Sequence, residues 1–300
     1  MGRFKESKPR AAAIGTFDGV HKGHCCVLGL LKEHAQKKGL EPLAITFRNH
    51  PLEFISPDKA PLQLTHVSKK EKLIIENGVV PLVLDFDEEV RSSSAARWME
   101  KLHHELGVRV LVVGYDNTFG CDGVNMSLED YRVLGREIGI DVVMAGEVKG
   151  VSSSAIRHCI VSGEVTKAAE MLGRPYSISG NVVSGNRIGR SIGFPTANLE
   201  PPKRMAIPAN GVYAVTVEIP GDGKVYPAMV NIGTRPTLKK GEDKVIECHV
   251  INWDGDLYGK NITVNFIERI RDEKKFDSLE ELKRQLSSDM ETVSEILKTK

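Results

Sequence analysis

The 300-residue sequence has little of several features that mark special classes of protein. Its 41 basic and 40 acidic side chains leave a formal charge of +1, too small to predict binding to nucleic acid or to an anionic membrane. No apolar run approaches the ~20 residues of a membrane span, and the N-terminal MGRFKESKPR lacks the apolar core of a secretory signal. We therefore expect small-molecule partners and a cytoplasmic protein that binds neither nucleic acid nor membrane. The oligomeric state stays open, with a homo-oligomer as one alternative.

Cysteine is scarce, and its pattern excludes two further classes. The five cysteines form no CxxC pair and are too sparse for a disulfide framework, so we expect reduced thiols and no structural zinc site. The sequence also lacks GxxxxGK[ST], which excludes a P-loop. The charged runs QKKG at 36–39 and SKKEK at 68–72 are interpreted as solvated helix faces. The cysteines are Cys25, Cys26, Cys121, Cys159 and Cys248.

Up to residue 175, short apolar runs alternate with amphipathic helical stretches. The runs AAAIG, PLAITF, VPLVLDF, VRVLVVG and DVVMAG predict strands. Helices are predicted at about 24–37, 68–77, 93–106 and 127–138. Strands that alternate with helices indicate an α/β domain with a doubly wound parallel sheet, which we place at residues 1–175.

Helix ends are marked by capping residues. Ser68 with Glu71 predicts a capping box at the second helix, and Ser127 with Asp130 predicts one at the fourth. A glycine follows each helix, where a left-handed residue is favoured. These glycines are Gly39, Gly78, Gly107 and Gly139.

Residues 176–300 have a different rhythm and form the second predicted domain. Five segments rich in β-branched and aromatic residues, with a sixth strand near TANLE (196–200), predict a small antiparallel barrel. Ser278 with Glu281 marks the start of a closing helix, in which Leu282 and Leu286 share a face with Leu279.

The stretch GTFDGVHKGH (15–24) follows the first strand, and RNHP, GYDNTFG and VSSSAIR follow the second, fourth and fifth. The carboxyl ends of parallel strands are where such sheets bind ligands. Gly15, Gly19 and Gly23 allow a tight turn into the N-terminus of a helix, which is a favourable phosphate seat. His21 and His24 can then donate hydrogen bonds to a phosphoryl group. The alternatives are that they bind a metal or that they are part of a turn without a functional role. Arg157 can hold departing phosphates.

These segments resemble the two signatures of the HxGH nucleotidyltransferases, and within them bacterial FMN adenylyltransferase. The resemblance implies that His21 and His24 stabilise the α-phosphate of ATP and that Ser152, Ser153 and Arg157 hold the triphosphate. It places the flavin near His50 and Asp116. The alternative for His50 is that it only caps a loop, and the alternative for Asp116 is that it does not contact the substrate. Asp18 binds magnesium or ribose, or only stabilises the turn. The remaining residues assigned to ATP are Gly15, Phe17 and Gly23.

In the second half, the candidate binding and catalytic residues lie on a loop and two strands. Arg187 and Arg190, with Gly189 between them, can reach phosphate. Thr196 and Asn198 project from one face of an extended segment, and their neutral oxygens suit Mg²⁺ bound with ATP. Glu247 lies in the apolar strand VIECHV, where a carboxylate needs a partner or a task. It is predicted to be a general base, with a salt-bridged structural carboxylate as the alternative.

This half resembles riboflavin kinase throughout, from GRSIGFPTANL to IECHVINWDGDLYGK. The resemblance implies a six-stranded Greek-key barrel with a terminal helix. It assigns Mg-ATP to Thr196 and Asn198, with Gly189 and Arg190 also on the nucleotide. Glu247 activates the riboflavin 5′-hydroxyl, and Asn231 and Arg235 lie near flavin and ATP or form a structural turn.

The two resemblances together identify the chain as similar to the bacterial FAD synthetases. They imply phosphorylation of riboflavin to FMN, followed by adenylylation of FMN to FAD, with Mg²⁺ as cofactor. One alternative is a riboflavin kinase with a weak or inactive adenylyltransferase half, because Asn117 and Thr118 replace the family's usual Phe-Arg pair. The other is a flavin-binding regulator without catalysis.

Overall fold

The computed structural model describes residues 8–116, 118–184, 193–234, 244–253 and 255–299. The chain divides into two compact units, Met1–Ser153 and Ser154–Lys300, and each is described by itself.

The first unit contains a five-stranded parallel sheet with strand order β3-β2-β1-β4-β5. The prediction of a doubly wound sheet is confirmed. Strands β1 and β4 are neighbours although two strands lie between them in the chain, so the direction of winding reverses between them. The strands are β1 Arg10–Ile14, β2 Glu41–Phe47, β3 Val80–Leu84, β4 Val108–Val113 and β5 Asp141–Met144.

Helices connect these strands, and their ends follow the predicted caps with one exception. Ser127 and Asp130 form the predicted capping box, but Ser68 does not cap. The hydrogen bonds from Leu64 and Thr65 N–H to Asp18 fix the chain just before α3, and α3 begins directly after His66. The four glycines have positive φ as predicted. The helices are α1 Lys22–Lys38, α2 Pro51–Ile55, α3 Val67–Glu76, α4 Glu88–Ser92, α5 Ala95–Leu106 and α6 Leu128–Ile138, with 3-10 turns at Pro57–Lys59 and Gly123–Asn125.

The sheet buries both faces because alternate residues of each strand point to opposite sides. Ala12 and Ile14 of β1 pack with α5 and α6, whereas Ala11 and Ala13 pack with α1 and α3. Small residues in β1 let helices approach the centre of the sheet closely. The loop that follows β1 is therefore supported by packed structure on two sides.

The second unit is a closed barrel with strand order β10-β7-β6-β11-β8-β9. Strands β8, β9 and β10 pair in succession, and β11 returns to pair with β8, which is Greek-key connectivity. The predicted Greek-key barrel is confirmed. The strands are β6 Tyr176–Val183, β7 Ala197–Glu200, β8 Gly211–Glu218, β9 Val225–Thr234, β10 Lys244–Val250 and β11 Asn261–Arg271.

Helices flank the barrel at both ends of its sequence. Helices α7 Ser153–Val161 and α8 Val165–Leu172 precede it, and α8 packs against β6 and β11. The predicted boundary at 175/176 stays a prediction, since the division between the compact units falls after Ser153, at the start of α7. Helix α9 Leu279–Thr299 closes the chain, and Ser278 Oγ accepts the Glu281 N–H at 3.1 Å as predicted. Within the described ranges, no helix has the length and apolar character to cross a membrane.

Candidate functional sites

The loop after β1, residues 15–21, has an unusual backbone. Gly19 has a φ of 87°, and two residues with side chains, Phe17 and Val20, have φ of 47° and 38°. A positive φ is a genuine outlier for a β-branched residue and costs about 1–3 kcal/mol. Both side chains are nearly fully buried, and Val20 N–H donates to Phe17 O at 3.1 Å. Packing therefore imposes this conformation at the sheet's switch point.

His21 is the N-cap of α1. Its Nδ1 accepts the backbone N–H of His24 at 3.3 Å. A neutral imidazole that accepts at Nδ1 carries its proton at Nε2, so the ring presents an N–H donor. The His24 ring stacks on it with 3.7 Å between centroids and 15° between planes, and Phe17 contacts His24 edge-on. The two predicted histidines thus form one stacked pair.

The start of α1 favours an anion. Its first turn contains no acidic residue, so the positive end of the helix dipole is not neutralised by a carboxylate from that turn. Gly23 lies close beside the histidines, and a Cβ there would make a tight contact of 3.1 Å with the His21 ring. Gly15 lies against the Phe17 ring. We call residues 15–24, with the groups that support them, the histidine site.

Asp18 is a buried support of the histidine site. Its carboxylate accepts the N–H groups of Leu64 at 2.9 Å and of Thr65 at 3.1 Å, and Ser153 Oγ donates to the Asp18 carbonyl at 2.9 Å. Of the alternatives predicted for Asp18, namely binding magnesium, binding ribose or stabilising the turn, these contacts correspond to stabilising the turn. Ser153 is thereby positioned at the histidine site, and half-buried Ser152 precedes it.

Lys70 is a residue that the sequence interpretation placed wrongly. It lies in SKKEK, expected on a solvated face, but it is only 6% exposed. Its Nζ donates to Thr16 O at 3.1 Å and to Phe47 O at 2.6 Å. Burial lowers the pKa of Lys70 to about 8, although Asp18 and Glu71 act in the opposite direction. Its spacing from Leu73 and Ile74 is the signal that could have identified it, because i, i+3 and i+4 share a helix face.

His50 and Asp116 differ in how they are held. His50 caps α2: its Nδ1 accepts Leu52 N–H at 3.2 Å, and its own N–H donates to Glu53, so the loop-capping alternative is observed. Asp116 is exposed after β4 and raises the pKa of the Tyr115 hydroxyl by charge repulsion. In the second unit, Arg157 lies on α7 with Nη1 3.5 Å from Ser154 Oγ.

In the barrel, three predicted residues lie in one row across neighbouring strands. Glu247 of β10 pairs directly with Asn198 of β7 on one side and with Asn231 of β9 on the other. Directly opposed residues of antiparallel strands project from the same face. We call this row, with Thr196 two residues before Asn198, the glutamate site.

His249 belongs to the glutamate site but was not predicted. It is 8% exposed, follows Glu247 on the same face of β10, and its Nδ1 lies 2.8 Å from the Pro195 carbonyl. Its ring also packs on Phe194. It therefore ties β10 to the residue before Thr196. A polar residue two positions from Glu247 in an apolar strand was the available signal.

Two cavities meet at Thr196. One of about 440 Å³ is lined by Thr196, Cys248, Trp253 and the turn 255–258. The lining of the other, of about 210 Å³, includes the polar residues Glu247, Asn231 and His249 and the apolar residues Phe276, Leu282 and Leu286. Burial raises the pKa of the Cys248 thiol to about 12, so this side chain is uncharged near neutral pH.

Some predicted residues lie outside the described part of the chain. They are Asn117, Arg187, Gly189, Arg190 and Arg235.

Comparisons with known proteins match both units. The FAD synthetase family model matches residues 3–156, and the riboflavin kinase model matches residues 172–297. The chain is 35% identical over 289 residues to the bifunctional riboflavin kinase/FMN adenylyltransferase of Pseudomonas fluorescens, with 95% of this chain and 92% of that one covered. It is 39% identical over 292 residues to the protein of that name from Escherichia coli K12, with 94% and 91% covered. A crystal structure described as a macrolide-efflux protein from Streptococcus pneumoniae matches with a TM-score of 0.87 and 32% identity, covering 97% of this chain and 96% of that one.

The two matched family models follow one another along the chain, which makes this a two-domain protein of flavin nucleotide synthesis. It belongs to the bifunctional riboflavin kinase/FMN adenylyltransferase family.

Proposed function

We propose that the chain converts riboflavin and ATP to FMN and ADP in the barrel, and FMN and ATP to FAD and pyrophosphate at the parallel sheet. The observation that carries this proposal is the different use of carboxylates at the two sites. Asp18, the one acidic residue of GTFDGVHKGH, is occupied by backbone N–H groups, whereas Glu247 lines an open cavity. An alcohol nucleophile needs a base, and a phosphate nucleophile does not.

At the histidine site, a phosphate oxygen of FMN attacks the α-phosphorus of ATP as the bond to the bridging oxygen breaks and pyrophosphate leaves. The Nε2–H of His21 and the His24 ring stabilise the negative charge that develops on the α-phosphate. Ser152, Ser153 and Arg157 hold the departing phosphates. Gly15, Phe17 and Gly23 shape the loop around the nucleotide, and Asp18 keeps it in place.

At the glutamate site, Glu247 takes the proton of the riboflavin 5′-hydroxyl while its oxygen attacks the γ-phosphorus of ATP and ADP leaves. The cavity beside Trp253 suits the nucleotide, and the one that contains Glu247 suits the flavin. Thr196 lines both, as a residue between donor and acceptor should. Gly189, Arg190 and Arg235 are assigned to the same substrates on the resemblance alone.

Magnesium fits the Thr196 and Asn198 oxygens, because neutral donors leave room for phosphate ligands and water. Asn198 is paired in register with Glu247, so a metal bound there would lie close to the proposed base. When bound, Mg²⁺ would neutralise charge on the ATP phosphates. His50 and Asp116 are proposed to contact the flavin at the sheet.

We also propose a cytoplasmic location, which is supported by five cysteines that form no disulfide within the described ranges. Self-association into a homo-oligomer and the boundary at 175/176 are kept as predictions.

The test follows two labels through the products. Riboflavin is incubated with MgCl₂ and ATP labelled at either the α- or the γ-phosphorus, and riboflavin, FMN and FAD are separated chromatographically. We expect γ-label in FMN first and both labels in FAD later, with neither product when EDTA replaces MgCl₂. Labelled FMN that never becomes FAD would favour the kinase alternative, and flavin binding without either product would favour the regulator.

A further inference from the structure

Lys70 places a cation beneath the histidine site. It extends from the apolar face of α3, where Leu73 and Ile74 are also buried. Its Nζ binds two backbone carbonyls, Thr16 O and Phe47 O. Burying an ammonium group is unfavourable unless its surroundings or its function compensate for lost hydration.

The two carbonyls belong to the part of the sheet that carries the site. Thr16 lies between Gly15 and Phe17, at the start of the positive-φ loop, and Phe47 ends β2. Thr46 Oγ1 also donates to Thr16 O, at 2.9 Å. Lys70 therefore fixes the first peptide group of the loop relative to the neighbouring strand.

A neutral donor could hold two carbonyls equally well, so the positive charge needs a separate reason. Asp18 provides one. Its carboxylate holds Leu64 and Thr65, yet a negative charge beside a phosphate seat repels ATP. The charge of Asp18 raises the pKa of Lys70, against the larger effect of burial. The cation therefore offsets a carboxylate that the loop requires.

We propose that Lys70 is a positioning residue for adenylyl transfer, whose buried ammonium group holds the Thr16 carbonyl and offsets the charge of Asp18 beneath the ATP phosphates. This inference rests on the proposed function of the histidine site. It assigns a task in nucleotide handling to a residue outside both histidine-site signatures.

The protonation of Lys70 separates its charge from its hydrogen bonds. Burial lowers the pKa of Lys70 to about 8; Asp18 and Glu71 are the charged groups that face it and oppose this shift. Above that pH the neutral amine keeps two N–H donors for its two carbonyls but loses the charge. Because kcat/KM reports ionisation of the free enzyme, kcat/KM for ATP in FAD formation should fall as pH rises through 8.

The experiment compares the full-length wild type, Lys70→Met and Lys72→Met from pH 7 to 9.5. Lys72 is a matched control two residues away, with a side chain that is 65% exposed. FAD formation from supplied FMN and riboflavin phosphorylation are measured on the same samples. At pH 7 we expect Lys70→Met to lower kcat/KM for ATP in FAD formation about 10- to 100-fold, and to change riboflavin phosphorylation less than twofold. The wild type and Lys72→Met should fall above pH 8 toward the Lys70→Met value, which stays flat.

Two results would overturn the proposal. One is a Lys70→Met variant with kcat/KM within threefold of wild type. The other is a wild-type profile that stays level to pH 9.5, which assigns Lys70 to structure alone and needs no variant if Lys70→Met fails to fold. A wild type that makes no FAD at any pH would instead overturn the proposed function, and the role of Lys70 with it.

Discussion

In the proposed function, the histidine site and the glutamate site both act on the phosphates of ATP, but they are built differently. The histidine site is made largely from backbone, namely a positive-φ loop and a helix N-terminus, together with the capping ring of His21 and the His24 ring stacked on it. The glutamate site is made from side chains that project from paired strands. Backbone donors suit a reaction whose need is charge stabilisation, whereas a proton transfer needs a titratable side chain in a defined place. The difference teaches that the nucleophile of each proposed reaction determines whether backbone donors or a titratable side chain are needed.

The largest expected effect is the loss of the base. Glu247→Gln keeps the shape of the side chain and removes its ability to accept a proton, so FMN formation should fall about 10²- to 10⁴-fold. FAD formation from supplied FMN should stay within twofold of wild type. Initial rates of both reactions, measured by chromatography, check this. Equal loss of both activities would contradict the division of chemistry between the sites.

The converse variant removes a donor from the histidine site. His21→Ala deletes both the α1 cap and the Nε2–H donor, and FAD formation should fall about 10²- to 10³-fold. Riboflavin should still be converted to FMN, which then accumulates. His34→Ala is the matched control, since His34 lies near the other end of α1 and should leave both rates unchanged. Full FAD synthesis by His21→Ala would remove the histidine pair from the mechanism.

The third prediction concerns the support of the glutamate site. Asp289 of α9 is 2% exposed and receives Arg271 Nε and Nη2 at 2.7–3.1 Å, and Arg271 lines the cavity of Glu247. Asp289→Ala leaves a partly buried cation unpaired and should lower the free energy of unfolding of the barrel by about 3 kcal/mol.

The control for this change is Asp272→Ala. Asp272 pairs with Arg269 while its side chain is 85% exposed, so its loss should cost less than about 1 kcal/mol. Urea unfolding followed by circular dichroism measures both variants. Equal effects would show that the Asp289 pair does not hold α9 against the barrel.

The smallest expected effect is a pH dependence of the free energy of unfolding, which we expect for the parallel-sheet unit alone. The pKa of Lys70 is lowered to about 8 in the folded protein, so between pH 8 and 10 the unfolded chain binds more protons and stability rises with pH. The contribution over this range is about 2 kcal/mol, since one pKa unit is worth about 1.4 kcal/mol. Urea unfolding of wild type and Lys70→Met at pH 8 and pH 10 gives it as the change in their difference. A constant difference would mean that the lysine titrates normally.

Periodicity and capping residues were sufficient to predict most of the fold. Five apolar runs separated by helices gave the parallel sheet, and glycines marked the ends of α1, α5 and α6. Ser68 was misinterpreted because the entry to α3 is fixed by Asp18, which is 46 residues away from Leu64 in the chain. A capping pattern carries no information about such a tertiary contact.

The candidate sites were predicted residue by residue, but not their arrangement. Nothing in a single sequence aligns Asn198, Glu247 and Asn231, because register depends on how three strands pair. Lys70 and His249 were missed since polar residue types suggest solvent, and burial overrode that preference. His50 has the sequence of a cap as much as that of a ligand, and only the Leu52 and Glu53 contacts distinguish the two.

Greek-key closure also sets the order in which the two domains can complete their folds during synthesis on the ribosome. The sheet is finished once β5 has emerged, but β6 and β8 each need β11, whose last residue is Arg271. From Val183 to Arg271 about 90 residues must still be synthesised, which at roughly 5–20 residues per second takes about 5–20 s. Until β11 has emerged, β6 and β8 each lack one of their two neighbouring strands, whereas all five strands of the parallel sheet are present. The strands of the sheet, to which the second reaction is assigned, are thus all synthesised before the barrel assigned to the first reaction can close.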